Sequence, residues 1–319
     1  MSNAPAARTT ESIQRLTHNI GSVFLGKEEL VKLAVTCLLA GGHLLLEDVP
    51  GVGKTLLAQA LARSLGLRFS RIQFTSDLLP ADIVGVSVYN QTTSQFEFKP
   101  GPIFANIVLA DEINRTAPRT QSSLLEAMAE QRVSIDDKTH VLDAPFFVVA
   151  TQNPLESHGT YPLPESQLDR FLMRLSVGYP ARDIERSLLV GRNAEDPALA
   201  LRSVLNHEDV LYLQSQVDGV RFDESLADYV LNIVEASRKT ARLAVGVSTR
   251  GALALQRASR AWAMVNGRSY VLPEDVKRLA LPVLAHRVSL GAGESVVGSS
   301  RDAAEGVLRE ILARVEVPI

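Results

Sequence analysis

The sequence has little of several features that would point to particular classes of protein. Its 319 residues include a single cysteine, Cys37, which excludes a disulfide-stabilised scaffold and fits a reducing compartment. Aromatic residues make up only 5%, too few to suggest a stacking platform for nucleic-acid bases. The 33 basic and 36 acidic residues leave a formal charge of −3, which does not favour a protein that coats nucleic acid.

Long hydrophobic runs are missing as well. The longest apolar stretch, residues 33–46, is interrupted by Thr36, Gly41, Gly42 and His43, whereas a bilayer span needs about 20 mostly apolar residues. The N-terminal residues show no apolar core of the kind that signal peptides carry. We therefore expect a cytoplasmic protein without membrane insertion. The apolar fraction of 46% is ample for a folded core and excludes general disorder.

Short apolar runs alternate with helical patterns over the first 180 residues. The runs that predict buried strands are 43–47, 71–74, 107–110 and 146–150. Strands that alternate with helices indicate a parallel sheet covered on both faces. Residues 1–10 are typical of a flexible tail, and the helical pattern starts at Glu11.

Two polar segments interrupt this alternation. Residues 76–104 are rich in Gly, Pro, Gln and Thr, and contain two strand-like pieces, 84–89 and 95–98. Residues 132–141 predict a hairpin with its turn near 136–137. Segments this long in a compact domain are usually functional, so both are expected to be exposed working parts.

Beyond Tyr179 and Pro180 only helical patterns remain. The predicted helices are 183–192, 207–217, 224–239, 249–266, 274–287 and 302–315. Asn206 and Ser248 are well placed to cap two of them. The chain is therefore predicted to have an α/β domain over 11–180 and a smaller all-α domain over 181–319.

A glycine-rich loop between a strand and a helix is the strongest functional signal. Small residues let successive backbone N–H groups wrap a phosphate chain at the positive end of the following helix. Lys54 would reach the β- and γ-phosphates, and the Thr55 hydroxyl would hold Mg²⁺. Asp48 stands where the GxxxxGK[ST] pattern usually has its first glycine. The predicted nucleotide-binding residues are Asp48, Pro50, Gly51, Val52, Gly53, Lys54, Thr55 and Leu56.

Two later apolar runs also end in polar residues. Asp111 and Glu112 follow the third run, and Asn153 follows the fourth. Ligands sit at the carboxyl ends of parallel strands, which would bring these residues to the glycine loop. We expect Asp111 to belong to the Mg²⁺ shell, Glu112 to be the general base for water, and Asn153 to contact the γ-phosphate or that water.

Five motifs together resemble one family of nucleotide-hydrolysing proteins. They are LLEDVPGVGKT (45–55), FEFKPGPIF (96–104), LADEINR (109–115), ATQNP (150–154) and GTYPLPESQLDRF (159–171). The combination resembles the AAA+ ATPases, and within them the MoxR family, over nearly the whole chain. Asp48 agrees with this family's version of the glycine loop.

The resemblance implies a parallel five-stranded αβα domain followed by a helical lid. Residues 76–104 then correspond to the helix-2 insert, and 132–141 to the pre-sensor-1 hairpin. Arg170 resembles the arginine finger that reaches the ATP of a neighbouring subunit, with Arg174 and Arg115 as alternatives. Arg250 resembles sensor 2, although Thr249 stands where relatives usually have proline.

The resemblance also implies a function. It predicts ATP and Mg²⁺ as cofactors, a hexameric ring with ATP at the subunit interfaces, and chaperone-like remodelling of protein partners, often ones with von Willebrand A domains. A nucleic-acid motor and a metal-chelatase motor subunit are the alternatives. The hairpin at 132–141 carries two firm positive and two negative charges, which disfavours nucleic acid. The intact pair Asp111 and Glu112 disfavours a nucleotide-gated scaffold without turnover.

Overall fold

An α/β part and a mainly helical part make up the structure, a computed structural model that describes residues 4–136, 138–154, 159–190, 196–291 and 300–318. Within these ranges, none of the helices combines the length and the apolar character that crossing a bilayer requires. The elements up to residue 175 are α1 (Ala4–Gly21), α2 (Glu28–Leu39), β1 (Leu44–Glu47), α3 (Lys54–Ser64), β2 (Phe69–Gln73), α4 (Pro80–Val84), β3 (Gly85–Asn90), β4 (Gln95–Pro100), β5 (Ile107–Asp111), α5 (Pro118–Glu130), β6 (Arg132–Ile135), β7 (Lys138–Val141), β8 (Phe147–Gln152), α6 (Glu165–Leu168) and β9 (Met173–Leu175).

The first helix begins earlier than the sequence predicts. Residues 1–10 were expected to be a flexible tail, but α1 is helical from Ala4. Thr9 is buried, and Ile13 and Leu16 lie in the core, so the turns before them continue a packed helix. Alanine has the highest helix propensity, which favours the extension through this alanine-rich segment.

Five parallel strands form the central sheet, in the order β2-β5-β8-β1-β9. Gln73 pairs with Asp111, and Glu47 with Gln152, so the carboxyl ends of four strands lie along one edge. The predicted parallel αβα fold is confirmed. The strand β9 was not located from the sequence, because its three residues include Arg174 and are too short for a clear pattern.

The core lies on both faces of this sheet. Successive strand residues point to opposite faces, so Ile107 and Leu109 enter one apolar cluster whereas Val108 and Ala110 enter the other. The first cluster also contains α1, α2 and α3 and continues into the C-terminal helices. The sheet is therefore held between the lid side and the side that carries the two inserts.

Both interrupting segments contain an antiparallel hairpin, which for residues 132–141 is the predicted one. Strands β3 and β4 pair antiparallel, and so do β6 and β7. Asp136 has a φ of 47° at the second turn, and Asp137 lies outside the described residues. The ring of Phe98 stacks on His140 with 4.0 Å between centroids, so the two hairpins touch each other.

The C-terminal part contains the six predicted helices and one small addition. Its elements are α7 (Arg182–Val190), α8 (His207–Gln216), α9 (Glu224–Lys239), β10 (Leu243–Val245), α10 (Thr249–Val265), α11 (Pro273–Leu284), β11 (Ser289–Leu290) and α12 (Ser300–Arg314). The Asn206 and Ser248 side chains accept hydrogen bonds from Asp209 N and Gly251 N, as helix caps do. The antiparallel pair β10–β11 departs from the all-helical prediction, because strands this short leave no alternation to detect.

Candidate nucleotide site

The glycine loop between β1 and α3 has the backbone that phosphate binding needs. Gly51 and Gly53 have φ values of 83° and 97°, in the left-handed region that favours glycine. Gly53 is the N-cap of α3 and has no side chain, so the first N–H groups of this helix remain open to an anion. A Cβ built on Gly51 would meet no described atom within 4 Å, so there is space in front of the loop. The loop therefore fits a phosphate chain.

Lys54 lies folded over this loop. Its Nζ donates to the carbonyl oxygens of Asp48 at 2.6 Å and Val49 at 3.2 Å. Thr55 is half-buried in the first turn of α3, and the partly buried Val52 and Leu56 pack against the larger core cluster. These predicted loop residues therefore fall into two groups. Lys54 and Thr55 carry polar groups beside the loop, whereas Val52 and Leu56 pack behind it.

Asp48 fixes the shape of the loop. Its Oδ2 accepts from Ser176 Oγ at 2.7 Å and Gly178 N at 2.6 Å, and its Oδ1 accepts from Val49 N at 2.8 Å. Burial opposes the charged form, but these hydrogen bonds outweigh it and lower the pKa of Asp48. The carboxylate is thereby held by protein donors and ties the loop to the segment after β9.

Asp111 and Glu112, the carboxylate pair, stand at the end of β5 beside Thr151. The Thr151 hydroxyl donates to Asp111 Oδ1 at 2.6 Å and accepts from Glu112 N at 2.9 Å. Glu112 has φ 57° and ψ 48°, a left-handed conformation that is uncommon for a residue with a side chain. Such strain is concentrated at functional sites, and here it turns Glu112 out of the strand direction.

Donors from the same chain hold the Glu112 carboxylate. Gln73 Nε2 lies 3.1 Å from Glu112 Oε2, and Arg115 Nε lies 3.2 Å from the same oxygen. On the other side, Arg71 donates to Asp111 Oδ2 at 2.6 Å. Both members of the carboxylate pair are therefore paired with cationic or amide groups in this structure.

Asn153 directly follows β8 and is buried. The preceding residue, Gln152, accepts a hydrogen bond at its carbonyl from Asp48 N at 3.1 Å. Asn153 is therefore next to the start of the glycine loop.

The three candidate finger arginines have different surroundings. Arg170 follows α6 and donates to the Leu125 carbonyl at 2.6 Å, and no carboxylate of the described residues lies within 4 Å of it. Arg115 is paired with Glu112. The Arg174 side chain is only 9% exposed and lies 3.7 Å from Glu47. Arg174 is thus directed inward, whereas Arg170 has a carbonyl and no carboxylate as its partner among the residues that the structure describes.

Arg250 meets the α/β part at one carboxylate. Its Nε lies 3.6 Å from Asp169 Oδ2, and its side chain is 62% exposed. Arg287 binds the other oxygen of Asp169 at 2.7 Å and donates to the Phe171 carbonyl at 2.7 Å. Burial lowers the pKa of Arg287, and Asp169 partly offsets this. The LDRF segment (168–171) is therefore one of the places where the helical part contacts the α/β part.

Comparisons with known proteins agree with this geometry. Residues 43–173 match the family described as ATPase family associated with various cellular activities (AAA), and residues 235–305 match the AAA lid domain. The chain is 42% identical to Chaperone MoxR1 of Mycobacterium tuberculosis, over 89% of this chain and 77% of that protein. The chain belongs to the MoxR family of AAA+ ATPases.

Other relatives of this MoxR-family chain cover nearly all of it. YeaC of Bacillus subtilis, an uncharacterized protein, is 49% identical over 96% of this chain and 94% of its own length. A crystal structure from Cytophaga hutchinsonii, described as a presumed ATPase, has a TM-score of 0.86 at 38% identity and covers 98% of this chain and 97% of that one. The family and the fold predicted from the motifs are both confirmed.

The donor chemistry of the MoxR-family site fits Mg²⁺ bound together with a nucleotide. Among the described residues, no group of three or more His, Cys, Asp or Glu side chains could hold a metal by itself. Mg²⁺ is usually held by one or two protein oxygens together with substrate phosphates and water. The Thr55 hydroxyl and the Asp111 carboxylate carry oxygen atoms of the kind that Mg²⁺ prefers.

Four residues around the site were missed in the sequence. Arg71 and Gln73 lie on β2 and contact the carboxylate pair, and Asp169 and Arg287 join the two parts of the chain. The sequence pattern could have indicated Arg71 and Gln73, because these two polar residues alternate within an otherwise apolar run and share one strand face. No sequence pattern indicates the buried position of Arg287, since an arginine near a helix end is usually exposed.

Proposed function

We propose that this chain binds Mg–ATP at the glycine loop and hydrolyses it within a hexameric ring of identical subunits in the cytoplasm, to remodel or mature partner proteins. The observation that carries the proposal is the carboxylate pair, which Thr151 holds at the sheet edge that also bears the glycine loop. A relative named as a chaperone supports the remodelling role.

The phosphate chain would be held by the glycine loop. The open N–H groups at Gly53 and the start of α3 would donate to phosphate oxygens, and Lys54 would leave its carbonyl acceptors to neutralise phosphate charge. Thr55 and Asp111 would hold Mg²⁺, which would neutralise phosphate charge when bound.

Glu112 would act as general base for the attacking water. To do so, its carboxylate must turn away from Gln73 and Arg115, which hold it in this structure. Proton acceptance by a positioned carboxylate typically contributes about 10²–10⁴ in rate. Asn153, at the end of the neighbouring strand, would orient the water or the γ-phosphate.

Arg170 would complete the site of the neighbouring subunit. The absence of a carboxylate within 4 Å, among the described residues, supports this role, because the guanidinium charge remains available. Arg170 also directly follows Asp169, which binds Arg250 of the lid. Lid closure on ATP would thus be transmitted to the residue that serves the next subunit.

Proteins rather than nucleic acids are the proposed partners, with von Willebrand A domains as one expected kind. The β6–β7 hairpin is charge-balanced, and Arg132 is already paired with Glu130 at 3.1 Å. The β3–β4 hairpin exposes an aromatic pair, Tyr89 and Phe96, with ring centroids 5.3 Å apart. Neutral, partly apolar hairpins fit a polypeptide better than a phosphate backbone.

Mixing two inactive variants tests the shared site. Lys54→Ala removes nucleotide binding, and Arg170→Ala removes the finger, so each alone should lose hydrolysis, the second by about 10³–10⁵. In mixed rings, an Arg170→Ala subunit can take the finger of a Lys54→Ala neighbour. We expect the mixture to regain phosphate release. Absence of rescue in rings shown by differential tags to be mixed would contradict the shared site.

Response to nucleic acid tests the partner class. The ATPase rate should be unchanged by single-stranded DNA, duplex DNA or RNA at about 0.1 M salt. Strong stimulation that falls steeply with salt would instead indicate a nucleic-acid motor. Capture of partners by the Glu112→Gln protein in the presence of ATP would then identify the protein that the ring acts on.

A further inference from the structure

Arg71 occupies one side of the buried Asp111 carboxylate. It lies on the edge strand β2, where it is aligned with Leu109 of β5 and points along the same face toward Asp111. Its Nη2 lies 2.6 Å from Asp111 Oδ2, while Thr151 donates to Oδ1. Both oxygens of the carboxylate are therefore engaged, and a guanidinium balances its charge.

The same guanidinium reaches the second carboxylate through an amide. Arg71 Nη2 is 3.1 Å from Gln73 Oε1, and Gln73 Nε2 is 3.1 Å from Glu112 Oε2. One cation on β2 is thus connected to both members of the carboxylate pair. A change at Arg71 would be felt at Asp111 directly and at Glu112 through Gln73.

A guanidinium and a divalent cation compete at one carboxylate oxygen. Two cations at one carboxylate repel each other. Mg²⁺ bound at Asp111 would therefore weaken the Arg71 contact, and the Arg71 contact would weaken Mg²⁺ binding. The exposure of the two partners shows which one can move. Asp111 has a side chain only 12% exposed, whereas that of Arg71 is 50% exposed and can turn into water at the sheet edge.

We propose that Arg71 is a positioning residue that balances Asp111 in the nucleotide-free protein and is exchanged for Mg²⁺ when Mg–ATP binds. The inference rests on the proposed ATP site. It makes Arg71 the residue that sets the Mg²⁺ concentration the site requires, and its departure from Asp111 loosens the Gln73 contact that holds Glu112.

The test is the Mg²⁺ dependence of nucleotide binding, measured with a fluorescent ATP analogue. In Arg71→Gln, which keeps a polar side chain but loses the charge, the half-saturating Mg²⁺ concentration should fall roughly three- to tenfold. Arg68→Gln is the matched control, because Arg68 pairs with Asp143 at 2.5 Å in an exposed contact one residue before the same strand. Its Mg²⁺ midpoint should equal that of the wild type.

The outcomes separate this inference from the proposed function. If the wild type binds the analogue and the Arg71→Gln midpoint is unchanged or higher, the exchange is wrong and the ATP site stands. If the wild type does not bind the analogue at any Mg²⁺ concentration, the proposed function itself fails.

A measurement on the wild type covers the case in which Arg71→Gln does not fold. Phenylglyoxal modifies accessible arginines, and mass spectrometry reads the extent at each position. Modification of Arg71 should rise when a non-hydrolysable ATP analogue is added with Mg²⁺ and not when it is added with EDTA, while Arg68 serves as internal reference. Equal or lower modification of Arg71 with Mg²⁺ would overturn the exchange.

Discussion

Two arginine–aspartate pairs lie at different places in the molecule and have opposite surroundings. At the junction with the lid, Arg287 binds Asp169 with a side chain only 3% exposed. At the edge of the sheet, Arg71 binds Asp111 with a half-exposed side chain. The enclosed guanidinium of Arg287 has no open path into water, whereas the half-exposed guanidinium of Arg71 can turn into water. The first pair is therefore structural, and the second is available for exchange.

At the junction, the same contrast between a buried and an exposed arginine occurs at one carboxylate, Asp169. Arg250 approaches Asp169 at 3.6 Å from the exposed side, opposite the buried Arg287. The lid can thus stay attached through Arg287 while Arg250 turns toward a phosphate. Substitutions on the two sides separate the fixed contacts from the exchangeable ones.

Among the substitutions that test this contrast, the largest effect is expected at the exchangeable side, in Glu112→Gln. Phosphate release should fall by about 10²–10⁴, because the amide cannot accept the proton of water. Nucleotide affinity, measured by fluorescence, should stay close to that of the wild type. Glu130→Gln, a change in an exposed pair with Arg132, is the control and should keep full turnover. Normal turnover in Glu112→Gln would mean that another residue is the base.

The largest stability effect is expected at the fixed side, in Arg287→Ala. The free energy of unfolding in urea should fall by about 3–5 kcal/mol, because Asp169 and the buried carbonyl oxygens of Phe171 and Leu172 lose their donor together. Arg278→Ala provides the comparison, since Arg278 pairs with Glu29 at 2.6 Å in an exposed contact and should cost less than about 1 kcal/mol. Equal losses in the two variants would remove the distinction between the pairs.

The residues of the candidate site are easier to predict from the sequence than the contacts that position them. Lys54, Asp111, Glu112 and Asn153 follow short apolar strands, and the pattern of strand, glycine and carboxylate places them together without knowledge of the fold. Arg287 could not be found this way, because its burial depends on the backbone carbonyls of the segment after α6. The strand β9 was missed for a similar reason, since its strand character comes from pairing with β1.

A smaller effect is expected for Arg250→Ala. Hydrolysis should fall about tenfold or more, because the lid loses the contact with the γ-phosphate that we propose for Arg250, and charge-stabilising residues typically contribute at least this much. The free energy of unfolding should change by less than about 1 kcal/mol, because the contact with Asp169 is exposed and long. Steady-state phosphate release and urea unfolding of the same preparation give both numbers. A stability loss as large as that of Arg287→Ala would show that Arg250 is structural.

The smallest effect concerns the pH dependence contributed by Asp48. Its pKa in the folded protein lies below the ordinary value of 3.8, so its charged form stabilises the fold above about pH 4. This contribution is lost as the pH falls through the lowered pKa. Asp48→Asn cannot ionise, so its free energy of unfolding should fall less than that of the wild type between about pH 5 and pH 3. Parallel pH curves for the two proteins would contradict the role of this carboxylate.

Nucleotide binding at the glycine loop is tested most directly by the shift of the thermal unfolding midpoint on adding Mg–ATP. A ligand at about 100 times its Kd stabilises the folded state by about 2.7 kcal/mol, so the wild-type midpoint should rise clearly. Lys54→Ala should unfold at a similar temperature without nucleotide and show no rise with it, because Lys54 contacts the loop carbonyls and lies outside the core. An equal rise in both proteins would contradict the assignment of the glycine loop as the nucleotide site.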